Sequence, residues 1–88
     1  MTRYFRRRWN ETRGDDHDDW GTSEWCFEVD DDGWVSRQIE VYDSGPTLRY
    51  DRAHVADEFG GLSEAPLPLD EFAPHEIPRD AFELAWRG

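Results

Sequence analysis

The chain has 88 residues, its ten basic residues are all arginine, and its 21 acids leave a net charge of −11. That field excludes a molecule that as a whole tracks nucleic-acid phosphates, and it favours a cationic partner. A chain this short buries only about 60–65% of the surface its unfolded form exposes, and its single cysteine, Cys26, excludes an internal disulfide framework or a cysteine-based zinc site.

The core must therefore be small and packed without staples. Thirteen aromatics, five of them tryptophan, supply it, because each buries roughly 150–250 Å². The opening Met1-Thr2-Arg3-Tyr4-Phe5-Arg6-Arg7-Arg8 is followed by no apolar run. Neither a secretory signal nor a membrane span is expected, and a reducing, cytoplasmic location is.

Residues 3–9 alternate, with Phe5, Arg7 and Trp9 on one face and Tyr4, Arg6 and Arg8 on the other, the period of a first strand. Residues 10–22 are polar, carry Gly14 and Gly21 and the run Asp15-Asp16-His17-Asp18-Asp19, and predict a mobile acidic loop. Residues 23–29 alternate again, setting Trp25, Phe27 and Val29 against Glu24, Cys26 and Glu28. Asp30-Asp31-Asp32-Gly33 is a turn signal, since glycine takes a positive φ without steric cost. A third strand follows over 34–42, with Val35, Arg37, Ile39 and Val41 on one face and Trp34, Gln38, Glu40 and Tyr42 on the other. Asp43-Ser44-Gly45-Pro46 turns the chain into a fourth strand, 47–50, with Leu48 and Tyr50 on one side.

The alternation then ends. Residues 51–77 predict an ordered coil lying across the sheet, with room for one short helical turn, pinned by Leu62, Leu67, Leu69 and Phe72 and too apolar for free disorder. A helix is predicted over 78–86, with Pro78 at its first position and with Asp80 and Arg87 placed favourably for the helix dipole. Its stripe of Ala81, Phe82, Ala85 and Trp86 should dock on the sheet, because nine residues are a marginal helix alone. The expected architecture is one α+β domain, residues 1–88: an antiparallel sheet of about four strands with a C-terminal helix packed on it.

The ordered series Tyr4-Phe5-Arg6-x-Arg8-Trp9, Glu28-Val29-Asp30-Asp31-Asp32-Gly33-Trp34, Arg37-Gln38-Ile39-Glu40-Val41-Tyr42, Gly61-Leu62-Ser63-Glu64-x-Pro66 and Ile77-x-x-x-x-Phe82-x-x-x-Trp86 covers most of the chain. It resembles a family of small bacterial domains of unknown function. The resemblance implies an α+β domain without transferable catalytic residues, with some members among toxin-immunity and related conflict genes. The chain departs from that pattern in the acidic insertion around His17 and in Arg7, where an aliphatic residue would be more usual.

Several constellations approach known chemistry and stop short. Glu28-x-Asp30-x-Asp32-Gly33 mimics the start of an EF-hand, but the twelfth position is Ile39 and the flanks read as strands, so an acid-rich β-turn is expected and no metal. The Asp15 to Asp19 run could attract a hard cation, yet adjacent residues on a floppy loop do not preorganise ligands. Cys26, Ser44 and Ser63, with His17, His54 and His75, lie in no nucleophile context, so neither catalytic residues nor a cofactor is assigned. Arg3, Arg6, Arg7, Arg8 and Arg13 give the first thirteen residues a charge of +4 against −15 on the remainder. That layout fits either a nucleic-acid or acidic-partner patch interleaved with Tyr4, Phe5 and Trp9, or arginines paired across the sheet with Glu24, Glu28 or Glu40; the second is favoured, because the rest of the molecule repels polyanions.

The function expected is a non-enzymatic, protein-binding domain, an immunity-type antagonist of a basic partner. Asp15, Asp16, Asp18, Asp19, Asp30, Asp31 and Asp32 would steer that partner, and Trp20 and Trp34 would anchor it. Two other readings stay open. One is a homodimeric scaffold pairing through the face of Trp34 and Tyr42. The other is a small-molecule or divalent-cation binder. The acidity itself is equally consistent with genome composition or a salt-rich cytoplasm.

Overall fold

A computed structural model describes all 88 residues. Strands β1 (Arg3–Trp9), β2 (Ser23–Val29), β3 (Val35–Tyr42) and β4 (Thr47–Asp51) pair antiparallel in sequence order. The four predicted strands are present to within a residue, and the class is α+β. Between β2 and β3 the Asp30 Oδ1 accepts from the amides of Asp32 (2.9 Å) and Trp34 (3.0 Å), while Gly33 takes φ 89°. The acidic triplet is thus a turn device, as carboxylates two residues upstream of a free amide commonly are.

The register departs from simple alternation at one place. Glu28 faces Arg37 but Val29 faces Val35, so Ser36 is an extra residue on β3, a β-bulge. The Ser36 hydroxyl closes it by donating to the Glu28 carbonyl (3.1 Å) and carboxylate (2.8 Å). The expectation that Val35 shares a face with Arg37, Ile39 and Val41 is therefore corrected: the bulge turns Val35 to the side of Phe27 and Val29. Period-2 reading cannot detect an inserted residue.

Both faces of the sheet are covered. On one, helix α2 (Arg79–Arg87) lays Phe82 and Trp86 over Tyr4, Cys26 and Ile39, and Phe82 is fully buried. Pro78 caps this helix in an extended conformation instead of opening its first turn. Arg49 of β4 donates to the carbonyls of Trp86 (2.9 Å) and Ala85 (3.2 Å), satisfying acceptors that a helix end leaves open. On the other face Phe5, Phe27, Val29 and Val35 pack under Phe72, Leu62, Leu67 and Leu69, while Tyr42, Leu48 and Tyr50 pack under Trp20 and Phe59.

The segment expected as coil with one short helical turn is more regular than that by a hairpin. It holds a small hairpin of β5 (Ala56–Asp57) and β6 (Gly60–Gly61) and a single turn of helix, α1 (Leu69–Phe72). Asp57 Oδ1 organises the hairpin, accepting from the amides of Phe59 and Gly60 and from the Tyr50 hydroxyl. Two-residue strands are too short to display a period. The chain then returns to the edge of β1, where the Ile77 amide donates to the Tyr4 carbonyl. Residues 10–22 are likewise not a free loop. A 3-10 turn at Asp18–Trp20 seats the Trp20 ring on Tyr42 and Phe59, and a Cβ on Gly45 would lie 2.5 Å from Trp20 Cγ. No helix is long and apolar enough to cross a membrane.

Candidate functional site

The sequence-predicted partner residues fall into two groups at opposite ends of β2, about 20 Å apart at the usual rise per strand residue. In the first group, Asp15 accepts from the His17 amide and from Arg13, and Asp18 from the Gly14 amide. Hydrogen bonds hold both carboxyls below the usual range, from the His17 amide first for Asp15 and from the Thr12 hydroxyl first for Asp18. Asp16 and Asp19 are exposed and unpartnered, and Trp20 is half-buried by intramolecular packing. In the second group, Asp30 serves the turn, Asp31 meets the N-terminal amine, Asp32 is free, and Trp34 is 45% exposed. The structure does not bring these nine residues into one surface.

The four arginines of β1 and Arg13 are all engaged, though seldom with the partners expected. Arg6 lies 3.6 Å from Glu24, Arg3 bonds Glu76, Arg8 bonds Asp43, Arg7 is 3.9 Å from Glu71, and Arg13 bonds Asp15. Glu28 is instead taken by Arg37, which also bonds Glu83. Glu40 has no arginine within ion-pair distance and belongs to a different arrangement.

That arrangement is a polar chain buried on the coil-covered face. Arg13 donates to the Tyr42 hydroxyl (2.9 Å), which donates to Glu40 Oε1 (2.8 Å). Gln38 donates to Glu40 Oε2 (2.8 Å) and to the Gly61 carbonyl (3.1 Å), and accepts from the Ser63 amide (2.9 Å). Gln38 and Glu40 are 1% and 3% exposed, yet no buried side-chain polar atom lacks a partner. Burial pushes the Glu40 carboxyl above its ordinary value, and burial together with the Glu40 bond pushes the Tyr42 phenol up to about 12. Among the apolar residues of this face the sheet thus carries a buried polar network, and shifted titratable groups beside a cleft mark a candidate site.

Above this floor the covering layer is incomplete. Between the 10–22 segment and the 62–72 segment lie two adjoining cavities, about 370 and about 480 Å³, which share Trp9, Trp25 and Gly61. The first reaches Glu40 and Tyr42 and has Glu11, Arg13 and Asp15 at its rim; the second reaches Phe27, Gln38 and Phe72. The indoles of Trp9 and Trp25 stand 6.0 Å apart at 35°, and Trp9 is 45% exposed. Along the sequence Trp9 reads as a strand residue interleaved with the β1 arginines, and Glu40 as a cross-strand partner for arginine, so neither points to this cleft. The available signal was Gln38-x-Glu40-x-Tyr42, three polar groups on the side shared by Trp25 and Phe27.

Groups for covalent chemistry do not converge. Cys26 is buried in the opposite layer, where burial raises its thiol pKa. His17 stacks on Trp20, His54 on Tyr50 beside Asp57, and the Ser63 hydroxyl is turned to the Ala65 carbonyl. No three His, Cys, Asp or Glu residues cluster as metal ligands. Comparisons with protein-family models, curated proteins and solved structures return no match.

Proposed function

We propose that this is a non-enzymatic binding domain that meets a basic protein partner, acting as an antagonist of the immunity type. The observation that carries the reading is the asymmetry of charge compensation. Seven of the ten arginines, Arg3, Arg6, Arg7, Arg8, Arg13, Arg37 and Arg79, lie within 4 Å of a carboxylate. Exposed Asp16, Asp19, Asp32, Glu58, Glu64, Asp70 and Asp80 form no ion pair within 4 Å. The field felt by an approaching molecule is thus acidic nearly all round, which speeds association with a cationic surface and repels a polyanion.

The homodimeric reading draws less support, because Trp20 and Phe59 of the same chain already cover Tyr42. The test is association kinetics against a panel of small basic and small acidic proteins. A basic partner should bind with a rate that falls at least about tenfold between low and high salt, and Asp16→Asn with Asp19→Asn should slow it further. A rate indifferent to salt, or preference for acidic proteins, refutes the reading.

A further inference from the structure

Resting on that reading, we propose that the cleft beside Trp9 and Trp25 seats one arginine side chain of the basic partner, its guanidinium lying against the indoles and donating to the Glu40 carboxylate. The floor supplies the acceptor. Each Glu40 oxygen takes one hydrogen bond, from Gln38 or from Tyr42, both neutral donors at 2.8 Å. A carboxylate has about four acceptor positions, so capacity remains on the side that borders the cavity. A charge held in a poorly solvated place by neutral donors gains most from a cationic one.

The walls supply the second contact. Indole is the ring to which cations bind best, and Trp9 presents nearly half its surface to solvent at the cavity mouth. The protein already uses this mode at the same place: the Arg7 guanidinium lies 5.9 Å from the Trp9 ring centre and 5.0 Å from that of Phe72. A planar guanidinium can stack and donate at once, which a lysine ammonium cannot.

The cations at the cleft do not compete for the role. Arg13 is committed to Tyr42, Asp15 and the Phe59 carbonyl, and Arg7 is held between Phe72 and Trp9. Glu11 and Asp15 at the rim keep the entrance acidic on the Glu40 side. An anionic occupant would face the buried carboxylate and the molecule's net charge of −11.

The test titrates indole fluorescence of the full chain with hexa-arginine, hexalysine and hexacitrulline peptides at low salt. Citrulline keeps the shape of arginine and removes its charge. Hexa-arginine should bind, hexalysine more weakly, hexacitrulline hardly at all. Trp9→Ala and Glu40→Gln should each weaken hexa-arginine by about tenfold, with circular dichroism unchanged. If both cationic peptides bind alike and neither variant shifts affinity more than twofold, the cleft assignment is overturned while the basic-partner reading stands. If no cationic peptide binds at low salt, both fall. Should Glu40→Gln fail to fold, the exposed Trp9→Ala decides, together with the Trp25 indole NH resonance, which must shift on adding hexa-arginine for the assignment to survive.

Discussion

Arg37 does three jobs from one strand position. Its fork donates to Glu28 (3.0 Å) and Glu83 (2.7 Å), and its guanidinium lies 4.9 Å from the ring centre of Phe82 and 5.1 Å from that of Trp86. Arg37→Ala should cost about 2–3 kcal/mol in urea unfolding, because it strands the mostly buried Glu28 and uncovers two aromatics. Arg37→Lys should recover only part of that, since an ammonium cannot fork between two carboxylates. The same pairing has a pH signature. Bonding to Arg37 holds the carboxyls of Glu28 and Glu83 below their ordinary value, so their contribution is present above the unfolded value and lost as pH falls through the depressed one. Glu40 behaves oppositely. Burial raises its folded value, so its contribution is full below the unfolded value and lost as pH rises through the folded one. Glu40→Gln mimics the protonated acid, and its stability relative to the parent should climb as pH rises from about 4.3, the ordinary glutamate value; a gap constant with pH would contradict the burial argument. At this scale the sequence announced side-chain faces but not partners. Arg6 does meet Glu24 on the neighbouring strand, but Arg8 and Arg3 meet acids 35 and 73 residues away, Asp43 and Glu76, which no strand pattern foretells.

Among the elements, α2 depends most on its neighbours. Nine residues do not hold a helix in water, and Phe82 is its one fully buried side chain. Phe82→Ala should cost about 3–5 kcal/mol and, by circular dichroism, remove helical signal while the sheet signal persists to higher denaturant. Unchanged stability would mean that the helix does not hold that side of the fold. Strands β1 to β3 and this helix were legible because their spacing repeats at 2 or near 3.6 over seven or more residues, and the short β4 because a turn signal precedes its Leu48 and Tyr50. The β5–β6 hairpin was not, since its ordering comes from one aspartate, Asp57, and not from a pattern. The 10–22 segment misled for a related reason: its composition is that of a mobile loop, and what fixes it are contacts with residues distant in sequence, Trp20 with Tyr42, Phe59 and Gly45 and Arg13 with Tyr42 and the Phe59 carbonyl. The cleft is bounded by the 10–22 segment and by residues 59–72, neither of which shows a period, which is why Trp9 and Glu40 did not stand out along the chain.

For the molecule as a whole, the strong segregation of charge along the sequence largely disappears on folding. Acids from residues 43, 71 and 76 are brought to the β1 arginines, leaving an excess of negative charge distributed over the exterior. Exposed ion pairs contribute little, so self-repulsion is the larger electrostatic effect and added sodium chloride should raise the melting temperature. A fall on adding salt would mean that the pairs matter more than the excess. The order in which the parts are made has its own consequence. Apart from Trp20, every side chain that roofs the sheet comes from residues 59–86, after all four strands. A ribosome therefore releases a ribbon with aromatics bare on both sides, and after β4 it must add about twenty residues before one side is roofed, by Phe72, and about thirty-five before the other is, by Trp86. In that interval the nascent ribbon is at its most adhesive, and the acidic residues already emerged, not the buried core, are what keep neighbouring copies apart.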